Sequence, residues 1–200
     1  MRGAAGLFTH TNFLPSDWLR MITPLLEAAP GELAAIQPVA GGGLSANEEV
    51  RRAWEIELAD DLHEDLVSRI HAVHSEVESF FAQSLEPCEA VAALRYPPGA
   101  FYRTHRDVAA QPDVHQMHRR AVSIVVFLNS GAPVPRAAFS GGALRLHETD
   151  DGCGSWRDVV PVAGTLIAFR SDVLHEVLPV ATGTRLTAVT WLARRPSVRH

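Results

Sequence analysis

Four side chains between positions 96 and 185 have the types and spacing to share one reactive centre. His105 and Asp107 lie two residues apart, His175 stands far downstream, and Arg185 follows ten residues after it. Two imidazoles and one carboxylate make the facial ligand set that holds Fe(II) and leaves positions open for O2 and an organic cosubstrate. A guanidinium close by suits a carboxylate, because its planar fork makes two parallel charge-assisted bonds. His-x-Asp alone says little. With 10 histidines in the chain, chance supplies such a pair on the order of half a time, and His63-Glu64-Asp65 has the same pattern. Local structure separates the two. His63 lies in a helical pattern, where positions i and i+2 face apart. His105 ends an extended run, Phe101-Tyr102-Arg103-Thr104-His105, in which i and i+2 share a face.

The elements around these residues are mainly strands. From Cys88 onward, candidates cover 89–95, 100–107, 120–128, 142–147, 157–160, 164–169, 174–180 and 184–193, divided by turns such as Pro97-Pro98-Gly99, Asp150-Asp151-Gly152 and Thr182-Gly183. Eight short strands at this spacing predict a sandwich or jelly roll. The N-terminal part reads differently. Ser16 and Asp17 offer an N-cap to a helix carrying Trp18, Leu19, Ile22, Leu25 and Leu26, which Pro24 should end or kink. Residues 37–49, with Gly41-Gly42-Gly43, read as a flexible loop, and 50–58 as a strand with Trp54, Ile56 and Leu58 on one face. Asp60 or Asp61 can cap a second helix. Its stripe of Leu62, Leu66, Ile70, Val73, Val77 and Phe80/Phe81 keeps the 3.6-residue period. His71 and His74 on that helix, and His115 and His118 in the 108–119 loop, read as packing, solvent-facing or mobile-loop histidines, since no carboxylate joins them in a ligand set.

Composition sets outer bounds. Two hundred residues suit a single domain with a sizeable core, and 46% hydrophobic with 20% charged residues is an ordinary globular composition. A net charge of -5 argues against nucleic acid as a partner. Cys88 and Cys153 make no disulfide framework, which points to a reducing, cytoplasmic setting. No signal peptide and no membrane span is visible. All 18 basic residues are arginine, which excludes Schiff-base lysine chemistry and a phosphate-loop lysine.

The C-terminal half resembles the iron- and 2-oxoglutarate-dependent dioxygenases, in particular the prolyl-4-hydroxylase-like branch with its bacterial relatives of the oxygen-sensing hydroxylases. The matching residues are Arg95-Tyr96-Pro97 with Gly99, Tyr102-Arg103-Thr104-His105-Arg106-Asp107, Phe127-Leu128-Asn129, Ser140-Gly141-Gly142-Ala143-Leu144-Arg145-Leu146, and Leu174-His175-Glu176-Val177 through Arg185 to Trp191. The resemblance implies a mainly β fold, a double-stranded β-helix (jelly roll) with N-terminal helices packed on one sheet. It implies one oxygenase domain over 1–200, with 1–87 as support and 88–195 as the catalytic core. The 37–49 loop falls where such hydroxylases carry a substrate lid.

The same resemblance implies Fe(II) on His105, Asp107 and His175, and 2-oxoglutarate clamped by Arg185 with Thr187 as a second donor. Tyr96 would contact the cosubstrate, and Tyr102 and Arg120 would lie on the substrate side. One departure stands out. Phe127 occupies the place of a tyrosine that hydrogen-bonds the distal carboxylate, and losing one charge-assisted bond costs about 1.5–3 kcal/mol. The expected reaction uses O2, with ascorbate as a reductant, to hydroxylate an unactivated C–H bond. The first substrate is a prolyl residue in a protein or peptide. A free amino acid or small biosynthetic intermediate is the alternative, and a non-catalytic sensor of metal and 2-oxoglutarate is the alternative of another class.

Overall fold

The computed structural model of the protein describes residues 6–36, 45–110, 117–149 and 152–196. In chain order the elements are β1 (Phe8–His10), α1 (Ser16–Ala28), β2 (Gly31–Leu33), β3 (Arg51–Arg52), β4 (Trp54–Ile56), α2 (Asp60–Ala72), α3 (His74–Phe81), β5 (Leu85–Cys88), β6 (Ala92–Tyr96) and β7 (Phe101–His105). Then follow β8 (Arg120–Phe127), β9 (Phe139–Gly141), β10 (Leu144–His147), β11 (Trp156–Val159), β12 (Leu166–Arg170), β13 (His175–Val177), β14 (Val180–Gly183) and β15 (Arg185–Arg194). The larger sheet runs β1-β12-β8-β15-β6-β4-β2, with β5 also on β15, and the smaller runs β11-β10-β13-β7-β3. The strands pair antiparallel, as in a jelly roll.

Side-chain alternation along the central strands separates two cores. On β8, Val122, Ile124 and Val126 join Leu186, Ala188 and Leu192 of β15 in a core shared with Leu19, Ile22 and Leu26 of α1, Leu66 and Ile70 of α2, and Val77 of α3. The alternate residues Val125 and Phe127 join Tyr96, Ile167 and Phe169 against Leu144, Leu146 and Val177 of the smaller sheet. The helices therefore cover the outer face of the larger sheet, and the space between the sheets holds the chemistry-bearing residues.

Four local expectations are revised. The stripe from Leu62 to Phe81 is two helices, because Val73 leaves helical geometry (φ -101, ψ 3) and its N–H turns to Ile70 O. Pro24 sits inside α1 without ending it; Arg20 and Pro24 are both exposed, so water can serve the carbonyl that proline leaves unbonded. The 50–58 segment changes sheet at the fully buried Ala53, so that β3 pairs with β7 and β4 with β6. Neither long helix takes a side-chain cap: Pro15 and Ala59 hold the N-cap positions. Both cysteines are free. Among the described residues no helix is long and apolar enough to cross a membrane. The lid expectation falls largely on 37–44, and His115 in the 111–116 stretch; both lie outside the described residues.

Candidate active site

β7 and β13 are neighbours in the smaller sheet, with His105 directly opposite His175. Antiparallel pairing puts both imidazoles on the inner face, with ring centroids 4.1 Å apart. Asp107 lies just beyond β7, where its N–H donates to Ser171 O at 3.0 Å. Its Oδ1 is 3.5 Å from His105 Nε2 and its Oδ2 is 3.5 Å from His175 Nε2. One ligand atom from each of the three residues lies within 4.8 Å of the others. The far side of each ring is anchored: Nδ1 of His105 is 2.8 Å from Arg103 O, and Nδ1 of His175 is 2.9 Å from Val173 O. A carbonyl only accepts, so Nδ1 carries the proton and Nε2 presents a bare lone pair. That tautomer is the one a metal needs.

Electrostatics agree with this arrangement. Burial opposes charge on Asp107, but His175, His105 and the Ser123 hydroxyl hold its carboxyl well below the usual carboxylate range. Burial pushes the His175 imidazole down to about 4, with His105 adding to the shift. At neutral pH the group is therefore one carboxylate beside a neutral His175.

Arg185 opens β15 opposite Tyr96 of β6. It is only 2% exposed, and Thr187 on the same inner face is wholly buried. Nη1 donates to Thr187 Oγ1 at 3.3 Å, while Nε has no acceptor. The guanidinium lies 4.9 Å from the Tyr96 ring centroid and 5.9 Å from that of Phe127. No carboxylate among the described residues pairs with it, and burial pushes its pKa down. An unpaired buried cation is costly, so this position suits an anion.

The triad and Arg185 line one cavity of about 410 Å³. Tyr102, Arg120, Trp191 and Arg51 line it as well. Tyr102 stacks on His105 with centroids 3.5 Å apart. Arg120 lies over Trp191 at 3.7 Å, and its Nε and Nη2 donate to Glu89 at 2.9 and 2.6 Å. Among the described residues, no other histidine lines this cavity. His63 accepts the Val91 N–H at 3.2 Å from α2, so the second His-x-Asp pair supports backbone. His74 bonds Glu86 O, His71 is exposed, and His118 sits in a short 3-10 turn (Met117–Arg119).

Sequence reasoning missed three residues here: Ser123, Glu89 and Arg51. Ser123 carried a signal, since it is the one hydroxyl in the apolar run 121–128. Glu89 and Arg51 carried none, because their roles depend on which strand faces them.

A jelly roll with a buried His-Asp-His group and an unpaired arginine in one cavity defines a class, the non-haem iron oxygenases that take a dicarboxylic cosubstrate. The family model for the 2OG-Fe(II) oxygenase superfamily matches residues 91–193. The chain belongs to this family, whose reaction uses Fe(II), 2-oxoglutarate and O2. A PKHD-type hydroxylase of a Synechococcus strain is 37% identical over 108 residues, which are 52% of this chain and 44% of that protein. A PKHD-type hydroxylase of Thermosynechococcus vestitus is 39% identical over 98 residues, 49% of this chain and 40% of that protein. The match thus spans less than half the length of these two curated relatives. A Pseudomonas putida prolyl-4-hydroxylase superimposes with a TM-score of 0.72 at 29% identity, over 96% of this chain and 94% of that one. A Trichoplax adhaerens prolyl hydroxylase, solved with a hypoxia inducible factor peptide fragment, shares the fold at TM-score 0.64 and 20% identity, over 94% and 84% of the two chains.

Proposed function

We propose that this chain hydroxylates an unactivated C–H bond of a prolyl residue in a protein or peptide. His105, Asp107 and His175 hold Fe(II), and Arg185 holds the distal carboxylate of 2-oxoglutarate. Bound together, iron, 2-oxoglutarate and O2 supply the oxidising power, with succinate and CO2 leaving as one oxygen atom goes to the substrate. The protein's residues supply position and exclusion. The anchored Nδ1 groups keep both imidazoles aimed at the metal. Thr187 is a second donor beside Arg185, and Tyr96 forms the flank where the cosubstrate lies. Phe127, with its ring centroid 5.9 Å from the guanidinium, has no hydroxyl to donate. Tyr102 and Arg120 form the substrate side of the cavity.

One observation carries this reading: three ligand atoms within 4.8 Å and a buried cation without a counter-ion open into the same cavity. The prolyl substrate is taken from the Pseudomonas putida prolyl-4-hydroxylase, which matches over nearly the whole chain. The test is succinate formation in air with Fe(II), ascorbate and 2-oxoglutarate, with and without prolyl peptides. Turnover in the wild type that is lost in both His105→Ala and Arg185→Ala is the expected result. Tight metal binding without 2-oxoglutarate binding would favour the metal sensor instead.

A further inference from the structure

The cavity holds a further arginine, Arg51, that the proposed reaction leaves idle. Arg51 on β3 stands directly opposite Tyr102 on β7, so both side chains share the inner face of the smaller sheet. Its guanidinium carbon is 4.7 Å from the Tyr102 ring centroid, and Tyr102 in turn stacks on His105. Arg51 is therefore two stacked layers from a metal ligand.

Its hydrogen bonding is incomplete. Nη1 donates to Ala35 O at 3.0 Å, while Nε is buried with no acceptor. No carboxylate among the described residues pairs with it. A guanidinium stacked on a ring has its face covered and its edge, where all the N–H groups point, left for an oxygen acceptor. The neighbouring cation differs, since two of the Arg120 nitrogens are held by Glu89.

We propose that Arg51 recognises the substrate by donating to an acceptor oxygen carried on the ring that is hydroxylated, the carbonyl or carboxylate attached to the pyrrolidine. This rests on the reaction proposed above and names the part of the substrate that the chain grips. The shared chemistry is a carboxyl-type oxygen; a chain carbonyl and a free carboxylate are its two sources.

The test is calorimetric titration of protein loaded with Mn(II) and 2-oxoglutarate under nitrogen. The probes are N-acetyl-L-proline, N-acetyl-L-proline amide and N-acetylpyrrolidine, which lacks the ring carboxyl group. The wild type is expected to bind the acid or the amide at least about 10-fold more tightly than N-acetylpyrrolidine, as one charge-assisted bond provides. A preference for the acid identifies a free carboxylate, and a preference for the amide a chain carbonyl. Arg51→Gln should abolish the preference without changing affinity for Mn(II), 2-oxoglutarate or N-acetylpyrrolidine. Arg51→Lys, which keeps the charge, should retain part of the preference for the acid. Equal binding of all probes by the wild type, no binding of any, or an unchanged preference in Arg51→Gln would overturn the assignment. The metal and 2-oxoglutarate titrations report separately: their failure sinks the proposed reaction, whereas their success without discrimination among probes sinks the role of Arg51 alone.

Discussion

Ser123 donates to Asp107 Oδ2 at 2.6 Å, from an inner strand of the larger sheet to a candidate ligand just past the end of β7 in the smaller one. The Ser171 hydroxyl lies 3.0 Å from Ser123 Oγ, and Ser171 O accepts the Asp107 N–H. The carboxylate is thus oriented by a buried pair of serines before any metal arrives. Ser123→Ala should keep the fold and lower metal affinity about 10- to 100-fold, the usual effect of losing an orienting partner. Anaerobic Fe(II) titration of the two proteins measures this, and equal affinities would remove Ser123 from the site.

As the proposed anion clamp, Arg185 is expected to add stability only when its anion is bound. Alone, its buried and unpaired guanidinium carries a desolvation cost. Arg185→Met should therefore make the ligand-free protein more stable, by about 1–3 kcal/mol, while abolishing the rise in melting temperature that 2-oxoglutarate gives the metal-loaded wild type. A variant that melts lower without ligand, or still responds to 2-oxoglutarate, would contradict the anion assignment.

Gly142 makes room for that arginine. Its φ of +62 suits glycine, and a Cβ there would lie 3.1 Å from Arg185 Cδ and 3.0 Å from Val180 Cγ2. Gly142→Ala should cost about 1–2 kcal/mol of stability and weaken 2-oxoglutarate binding several-fold by shifting the guanidinium. Metal affinity should not change. Denaturant melts and paired titrations would show whether the two losses occur together.

Acid should destabilise the metal-free protein from an unusually high pH. His175 moves from 6.5 to about 4 on folding, so between those values the unfolded chain binds more protons than the folded one, and stability falls as pH drops. At about 1.4 kcal/mol per unit, the loss from this group approaches roughly 3 kcal/mol by pH 4. The depressed Asp107 carboxyl acts in the same direction below its ordinary value of 3.8. Urea melts at pH 7, 5.5 and 4 should show the decline, and His175→Gln should flatten its upper part. A wild type as stable at pH 5 as at pH 7 would refute this.

The placement of the candidate ligands and of Arg185 was legible because it follows strand period. His105 and Asp107 follow an extended run, and His175 and Arg185 fall in the strands predicted at 174–180 and 184–193. The break at Val73 was not legible, since a valine in phase with the stripe from Leu62 to Phe81 looks like one more core position. Nor was the sheet change at Ala53, because alternation continues through it. The partner of Arg120 escaped for a related reason: Glu89 is 31 positions away, and only the folding of the β5–β6 connection against β8 brings the two together. Local pattern reports which residues face inward, and not which inward residues meet.

The three candidate ligands belong to the smaller sheet and its edge, whereas Arg185, Thr187 and Tyr96 belong to the larger one. A dicarboxylate held at both ends is then a strut between two layers whose separation is set by Leu144, Leu146 and Val177 packing against Phe127 and Phe169. Sheets packed face to face lie about 10 Å apart, and close-packed cores resist compression. The hydrophobic core thereby acts as a ruler: a diacid one carbon shorter or longer than 2-oxoglutarate would have to give up one of its two grips, and its length would be rejected by residues that never touch it.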